Sequence, residues 1–397
     1  MNTTPIANRK SIVLVGNRNA GKSTIFNKLI GHERSIVSDV AGTTTDPVWK
    51  ASELIGYGPV RIVDTAGIDD IGELGAQRIK KSEEEINEAD LLIYVINVED
   101  ILRGETVLED KVKEIKAKYR NKQYLFIVNK CDLDKEEQIE KIKAENKEVL
   151  FISTLKTEEW FDTVISKIIE KLQNTEEERS LVEGMLKPGD TALLVVPIDT
   201  EAPKGRLILP QVQLIRACLD EGIKVVVCRD EELRETIEEQ KKIDLVITDS
   251  KVFEKVGEIV PVEIPITSFS ILFAREKGDI EEFLKGAKKL EELKDGDKIL
   301  IAESCTHTVS HEDIGQVIIP NLIRKKTGKK LEFEFSYGKS LPKDLSKFSI
   351  IIQCGGCMMT RGNMMHRVYT ARENNIPITN YGVTLAYLKG VFNRAVY

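Results

Sequence analysis

The 397-residue sequence predicts an α/β protein built as three consecutive units. Three observations predict it. Strand-like apolar runs alternate with helical patterns from end to end, a glycine loop joins the first strand to the first helix, and three cysteines gather behind later strands. The length exceeds one ordinary core. An apolar share of 41% and a charged share of 31% are those of a globular chain. Lys and Arg number 58 against 65 Asp and Glu, a net charge of −7. That balance speaks against a protein that coats nucleic acid, and no DNA partner is expected.

No apolar run reaches the roughly 18 residues needed to cross a bilayer, so no membrane partner is expected. The start, MNTTPIANRK, lacks the core of a signal peptide. Six cysteines in so long a chain do not make a disulphide scaffold, and a reducing, cytoplasmic compartment is the expectation.

The first unit is expected over residues 1–174. Ser11–Val15 reads as a buried parallel strand and runs into Gly16-Asn17-Arg18-Asn19-Ala20-Gly21-Lys22-Ser23-Thr24. A helix pattern carrying Ile25, Phe26, Leu29 and Ile30 follows. Strand, glycine loop and helix in that order are the setting of a phosphate-binding P-loop. Backbone N–H groups from Asn17 to Thr24, with Ala20 and Gly21 at the turn, are expected to wrap phosphate oxygens. Lys22 is expected at the β and γ phosphates and Ser23 on Mg²⁺.

Arg61–Val63 reads as a strand ending in Asp64-Thr65-Ala66-Gly67. Asp64 is placed to hold the metal through water, and the Gly67 N–H to sense the γ-phosphate. Leu125–Val128 is a strand ending in Asn129-Lys130-Cys131-Asp132. A carboxylate at Asp132 can accept from the N1–H and the exocyclic amine of guanine, a donor pair that adenine lacks. Ser153-Thr154, behind strand Val149–Ile152, stands where a backbone contact to guanine O6 belongs. Thr44, flanked by Thr43 and Thr45, is expected to bind Mg²⁺ and order its loop while the γ-phosphate is present. Gly72–Gly75, before a helix over Ala76–Glu88, is expected to move with nucleotide state. A helix over Asp162–Leu172 closes the unit, and Gln173–Glu178 reads as a linker. The expected ligands are GTP and GDP with Mg²⁺.

These segments, over about residues 8–172, resemble the translation-factor-related GTPases, in particular the branch containing tRNA-modification and ribosome-assembly GTPases. The resemblance implies slow intrinsic hydrolysis, because Ile68 stands where other branches carry a catalytic glutamine. It also implies stimulation by K⁺, because Asn19 matches the asparagine that helps hold that ion beside the phosphates.

The second unit is expected over residues 175–264. It opens with a strand at Leu193–Val196, followed by a helix near Gln211–Glu221 and a strand Lys224–Cys228. A helix Glu231–Lys242 and a strand Leu245–Thr248 complete a small parallel α/β sheet. Cys218 and Cys228 read as core residues. A unit with no nucleophile–base pair or ligand group points to joining subunits, so a homodimer is expected.

The third unit is expected over residues 265–397. A charged helix closes at Leu290–Leu293, and strand Lys298–Ala302 leads into Glu303-Ser304-Cys305-Thr306-His307. Helix Gly315–Lys326 and strands Leu331–Phe335 and Phe348–Ile352 lead to Gln353-Cys354-Gly355-Gly356-Cys357. Helix Asn363–Asn374, strand Pro377–Thr379 and a helix near Thr384–Val396 follow. Cys305 and the Cys354/Cys357 pair therefore stand behind the carboxyl ends of two strands, the edge where parallel sheets hold ligands. The paired glycines free the backbone to wrap an inorganic core. Three cysteines in this pattern suit an iron–sulphur cluster, and with His307 they suit tetrahedral zinc equally well.

The order of P-loop unit, middle unit and Cys-x-His…Cys-x-x-Cys unit resembles the FeFe-hydrogenase maturation GTPases over nearly the whole chain. The resemblance implies a P-loop GTPase domain, a small α/β dimerisation domain and an α/β iron–sulphur cluster-binding domain. It implies a 4Fe-4S cluster on Cys305, Cys354 and Cys357, with His307 at or near the fourth iron. Gln353 stands where the family often has a histidine, and it is a poor iron ligand. That leaves the fourth position open to Glu303, His307, His311, Glu312, Asp313, His366, water or the cargo. The resemblance further implies a scaffold and carrier. It would accept a two-iron precursor bearing CO, cyanide and a dithiolate bridge, made with two radical-SAM maturases, and deliver it to apo FeFe-hydrogenase. The competing expectation is a zinc-binding RNA- or ribosome-associated GTPase.

Overall fold

The computed structural model describes residues 9–31, 47–67, 73–120, 122–133, 135–155, 159–174, 180–198, 207–304, 313–338, 341–356 and 359–397, with the side chains of 73–77 and 159 left aside. The expected site residues Thr44, Ile68, Cys305, His307 and Cys357 lie outside them, as do Gly72, His311 and Glu312. The chain packs as two compact units, 1–177 and 178–397.

In the first unit, β1 (Lys10–Gly16), α1 (Lys22–Gly31), β2 (Val48–Leu54), β3 (Gly58–Asp64) and α2 (Glu73–Glu88) come first. They lead to β4 (Leu91–Asn97), α3 (Val98–Leu102), α4 (Leu108–Lys118) and β5 (Gln123–Asn129). α5 (Glu136–Glu145), β6 (Val149–Phe151) and α6 (Glu159–Gln173) complete the unit. The sheet order is β2-β3-β1-β4-β5-β6, parallel except for the edge strand β2. Side chains alternate across a strand, and β1 shows what that does here. Ile12 and Leu14 pack with Ile25 and Leu29 of α1 and Ile168 and Leu172 of α6. Val13 and Val15 pack with Ile86 of α2, Ile115 of α4 and Ile139 of α5. Both faces are thus covered, which is why the strands read as unbroken apolar runs.

The second unit holds two parallel four-stranded sheets. The first is formed by β7 (Thr191–Val195), α7 (Leu209–Asp220), β8 (Lys224–Cys228), α8 (Leu233–Glu239), β9 (Leu245–Thr248), α9 (Phe253–Ile259) and β10 (Ile266–Ser268), in strand order β10-β9-β7-β8. Helices α10 (Phe269–Lys277) and α11 (Ile280–Lys288) lead to the second sheet. That sheet contains β11 (Lys298–Glu303), α12 (Ile319–Thr327), β12 (Glu332–Tyr337), β13 (Ile350–Gln353), α13 (Arg361–Glu373), β14 (Ile378–Asn380) and α14 (Tyr381–Leu388), in strand order β12-β11-β13-β14. One apolar core runs through both sheets, with Val195 and Val246 from the first and Ile301 and Ile351 from the second. Cys218 is fully buried and Cys228 nearly so, and burial pushes the Cys218 thiol up to about 11.

Two elements differ from the sequence expectation. The helix expected from Gly315 opens instead as a π-turn over Ile314–Ile318, and the α-helix begins only at Ile319. Pro320 has no N–H to donate, so it sits in the first helical turn rather than within a ladder. The helix expected to run to Val396 ends at Leu388. The chain beyond returns to the first sheet, where the Val396 N–H donates to the Ile266 carbonyl at 2.9 Å. No described helix is long and apolar enough to cross a membrane.

Candidate functional site

The first unit gathers its candidate residues at the carboxyl edge of β1, β3 and β5. Lys22 opens α1 and is buried, with its ammonium donating to the carbonyls of Gly16 at 3.0 Å and Asn17 at 2.7 Å. The positive charge therefore lies within the loop between β1 and α1, beside helix-start N–H groups, and this suits a polyphosphate. Asn19 takes a left-handed conformation, φ 58°, and is exposed at the loop's tip. Ala20 is fully buried, while Ser23 and Thr24 are exposed at the helix start.

Ser23 hydrogen-bonds Asp64 at the end of β3. Burial pushes the Asp64 carboxyl above its ordinary range, and the Ser23 bond and the Lys22 charge pull only partly the other way. Among the described residues the buried Oδ1 of Asp64 has no hydrogen-bond partner. A hydroxyl and a charge-starved carboxylate oxygen are hard donors of the kind Mg²⁺ takes, so the residues present fit that ion. The Thr65 hydroxyl donates to the Leu14 carbonyl at 2.7 Å, holding the Asp64–Gly67 stretch against β1. Gly67 is buried at the end of that stretch.

Asn129 is the brace of the site. Fully buried at the end of β5, its amide donates to the Ala20 carbonyl at 3.0 Å, and its Oδ1 accepts the Thr154 N–H at 3.2 Å. A Cβ on Gly21 would meet the Asn129 Nδ2 at 2.2 Å, so this close approach needs glycine. Lys130 follows with φ 65°. The Ser153 hydroxyl donates to Asp132 Oδ1 at 2.8 Å, orienting the carboxylate. Asn129, Asp132, Ser153 and Thr154 are thus assembled with the P-loop. The hydroxyl role of Ser153 is one that motif order alone does not signal.

In the second unit β11 and β13 are neighbours, with Ala302 opposite Gln353. The Cys354 N–H continues that ladder to the Ala302 carbonyl at 2.9 Å. Its Sγ accepts the Ser304 N–H at 3.3 Å and lies 3.0 Å from the Ser304 hydroxyl. Ser304 immediately precedes Cys305. Below this edge Glu303 is buried, with Oε1 accepting the Tyr381 hydroxyl at 2.9 Å and Oε2 lacking a hydrogen-bond partner among the described residues. Burial raises the Tyr381 pKa, which keeps that hydroxyl a donor. Gly356 has φ 68°, a turn conformation that the paired glycines permit. Among the described residues no group of three or more His, Cys, Asp and Glu gathers to hold a metal. A half-buried sulphur that accepts an N–H at the carboxyl edge of the sheet suits a soft metal ligand.

Three family models match along the chain, one within the first unit and two within the second. Residues 11–130 match the family model of the 50S ribosome-binding GTPase. Residues 181–278 match that of the Hydrogen maturase F dimerization domain, and 281–397 that of the Hydrogen maturase F tetramerization domain. Over 170 residues the chain is 34% identical to the tRNA modification GTPase MnmE of Aquifex aeolicus, covering 41% of this chain and 36% of the relative. The same enzyme of Clostridioides difficile is 37% identical over 149 residues, covering 37% and 31%. The chain thus spans about a third of the length of these curated relatives. The solved G domain of the T. maritima iron transporter FeoB aligns at 22% identity and a TM-score of 0.29, covering 42% of this chain and 99% of that domain.

The role expected of Asp132 in base recognition makes a direct prediction. Asp132→Asn puts an amide donor where guanine presents its own donors, so GTP affinity should fall by at least about 10²-fold while xanthosine triphosphate binding improves. Titration with fluorescent nucleotides reads both values, and unchanged GTP affinity would remove Asp132 from base recognition.

Proposed function

The chain is a hydrogen maturase F-like GTPase, and from that premise we propose that it is a GTP-hydrolysing scaffold and carrier for metallocluster assembly. In this reading 1–174 hydrolyses GTP, 175–264 joins subunits and 265–397 holds a 4Fe-4S cluster. The protein then takes a two-iron precursor made with two radical-SAM maturases and delivers it to apo FeFe-hydrogenase in the cytoplasm. The observation that carries the reading is the seat of Cys354, level with Ser304 at the carboxyl edge of a buried parallel sheet, in a chain that also builds a nucleotide subsite.

Hydrolysis is in-line attack of water on the γ-phosphorus with loss of the bridging β–γ oxygen. Lys22 offsets charge on the β and γ oxygens, and the Gly67 N–H contacts the γ-phosphate. Ser23 and Thr44 would hold Mg²⁺, with Asp64 reaching it through water, and the ion would supply further charge neutralisation. Ile68 cannot orient water by hydrogen bonding, so the intrinsic rate is slow, and Asn19 holds the K⁺ that compensates. Hydrolysis in KCl should run at least about tenfold faster than in NaCl, an effect on the scale of one well-placed charge stabiliser, and Asn19→Ala should abolish the difference. Equal rates in the two salts would end the potassium assignment.

Cys305, Cys354 and Cys357 hold the cluster, with His307 at or beside its fourth position. A thiolate-bound cluster with one replaceable iron position supplies a docking point that can let cargo go. Anaerobic reconstitution of Cys354→Ser with iron and sulphide should retain iron at least about tenfold more weakly than the unsubstituted chain. Equal iron content and equal EPR signals would defeat the carrier reading. Zinc without iron in the unsubstituted protein would favour an RNA- or ribosome-associated GTPase.

The subunit contact falls on the edge strand β8 and helix α7. Val227 on β8 is 46% exposed, and Val212 and Leu219 on α7 are exposed as well. An unpaired apolar edge favours pairing with a second copy. Val227→Lys should shift the mass seen by light scattering towards monomer, and an unchanged mass would place the contact elsewhere.

A further inference from the structure

Helix α2 ends in Ser82-Glu83-Glu84-Glu85-Ile86-Asn87-Glu88, with no basic residue in its last turn. Carboxylates there face the negative pole of the helix, and Glu85 and Glu88 stand at a spacing where like charges repel. Such an end needs cations from elsewhere in the fold.

Three other elements bring them. Arg61 of β3 is 4% exposed, and its guanidinium donates to Glu85, to Glu88 at 3.2 Å and to the Ser11 hydroxyl of β1 at 3.2 Å. The Trp49 ring of edge strand β2 lies 5.9 Å from the guanidinium carbon. Just past the helix, Asp90 accepts the Ser11 N–H at 2.7 Å through its Oδ2 and returns its own N–H to the Ser11 carbonyl at 2.9 Å. Lys122, ahead of β5, donates to the carbonyls of Asn87 at 2.9 Å and Ala89 at 3.1 Å. Lys118 of α4 reaches Glu83 at 3.4 Å. The carboxyl end of α2 is thereby tied to β1, β3, α4 and the approach to β5.

The amino end of the same helix follows the Asp64–Gly67 stretch on the nucleotide side. Arg61 and Asp64 share β3 and lie about 10 Å apart along it. One strand thus carries the metal-side carboxylate at its edge and, further back, the arginine that grips the far end of α2. Removing that arginine would leave Glu88 a buried carboxylate stripped of this partner.

We propose that Arg61 is a positioning residue of the GTPase unit, fixing the carboxyl half of α2 so that exchange of GDP for GTP rearranges only its first turns. The nucleotide-dependent surface of this helix is then its amino half. The proposal needs GTP and GDP binding by the first unit and nothing from the cysteine end.

The test follows backbone hydrogen exchange in the full chain by mass spectrometry, with GDP and with a non-hydrolysable GTP analogue, after titration has shown that both bind. In the unsubstituted protein the two nucleotides should give different exchange over 73–80 and the same exchange over 83–89. Arg61→Met should spread the difference into 83–89 while both affinities hold, because the side chain contacts Ser11, Trp49, Glu85 and Glu88. Glu85→Gln, which keeps the shape and removes one charge, should do the same more weakly. A difference over 83–89 as large as that over 73–80 in the unsubstituted protein would overturn the proposal. So would no difference anywhere in α2, or a difference that Arg61→Met leaves confined to the first turns. Faster exchange over 83–89 that is equal with both nucleotides would also overturn it, since Arg61 would then only stabilise the helix. If Arg61→Met does not fold, Glu85→Gln decides by the same readout. If neither nucleotide binds the unsubstituted chain, the GTPase assignment itself fails, and the proposal with it.

Discussion

Parallel pairing of strands buried on both faces is the constraint from which both sites follow. Such strands end at a common edge, where the backbone first escapes its neighbours and can offer polar groups to a ligand. In the first unit the register sets Asp64 level with Leu14, Ile93 and Leu125, while β4 and β5 run on together to Asn97 and Asn129 at the same edge. In the second, Ala302 opposite Gln353 sets Cys354 beside Ser304. A register slip of one residue would turn every side chain of a strand to the other face and dismantle these edges.

Polar groups at both edges are held at a cost that a ligand would relieve. Among the described residues, Asp64 keeps a buried oxygen with no hydrogen-bond partner and a raised pKa, and Glu303 keeps another such oxygen under the cysteine edge. Native interiors rarely leave such atoms unmatched. Asn129 shows the opposite solution. Both ends of its amide are used within the protein, so the loop it supports is shaped before nucleotide arrives.

Much of the first unit was legible because its chemistry is local. Lys22, Ser23, Asp64 and Asp132 each lie directly behind a strand or at the start of a helix, and spacing alone places them. The brace between Asn129 and Ala20 spans 109 positions and carries no local signal. The antiparallel edge strand Val48–Leu54 also escapes a motif reading, because its alternation is mixed and it borders no signature. At the cysteine end the strands and Cys354 were readable from apolar runs. Lys277 and Arg367 were not, since a lysine or arginine in a helix is by default read as solvated, and only packing shows these two to be buried. The π-turn before Pro320 and the short final helix were missed for a similar reason. Apolar periodicity says where a helix can run, whereas a missing N–H or a long-range hydrogen bond decides where it stops.

The single core running through 178–397 bears on how far its two halves can stand apart. Two segments recognised by separate family models share Val195, Val246, Ile301 and Ile351 in one packed interior, and the final residues return to bond with β10 of the earlier sheet. Severing them between 278 and 281 would expose apolar surface on both fragments. The two segments therefore depend on one shared interior for their stability, although separate family models recognise them.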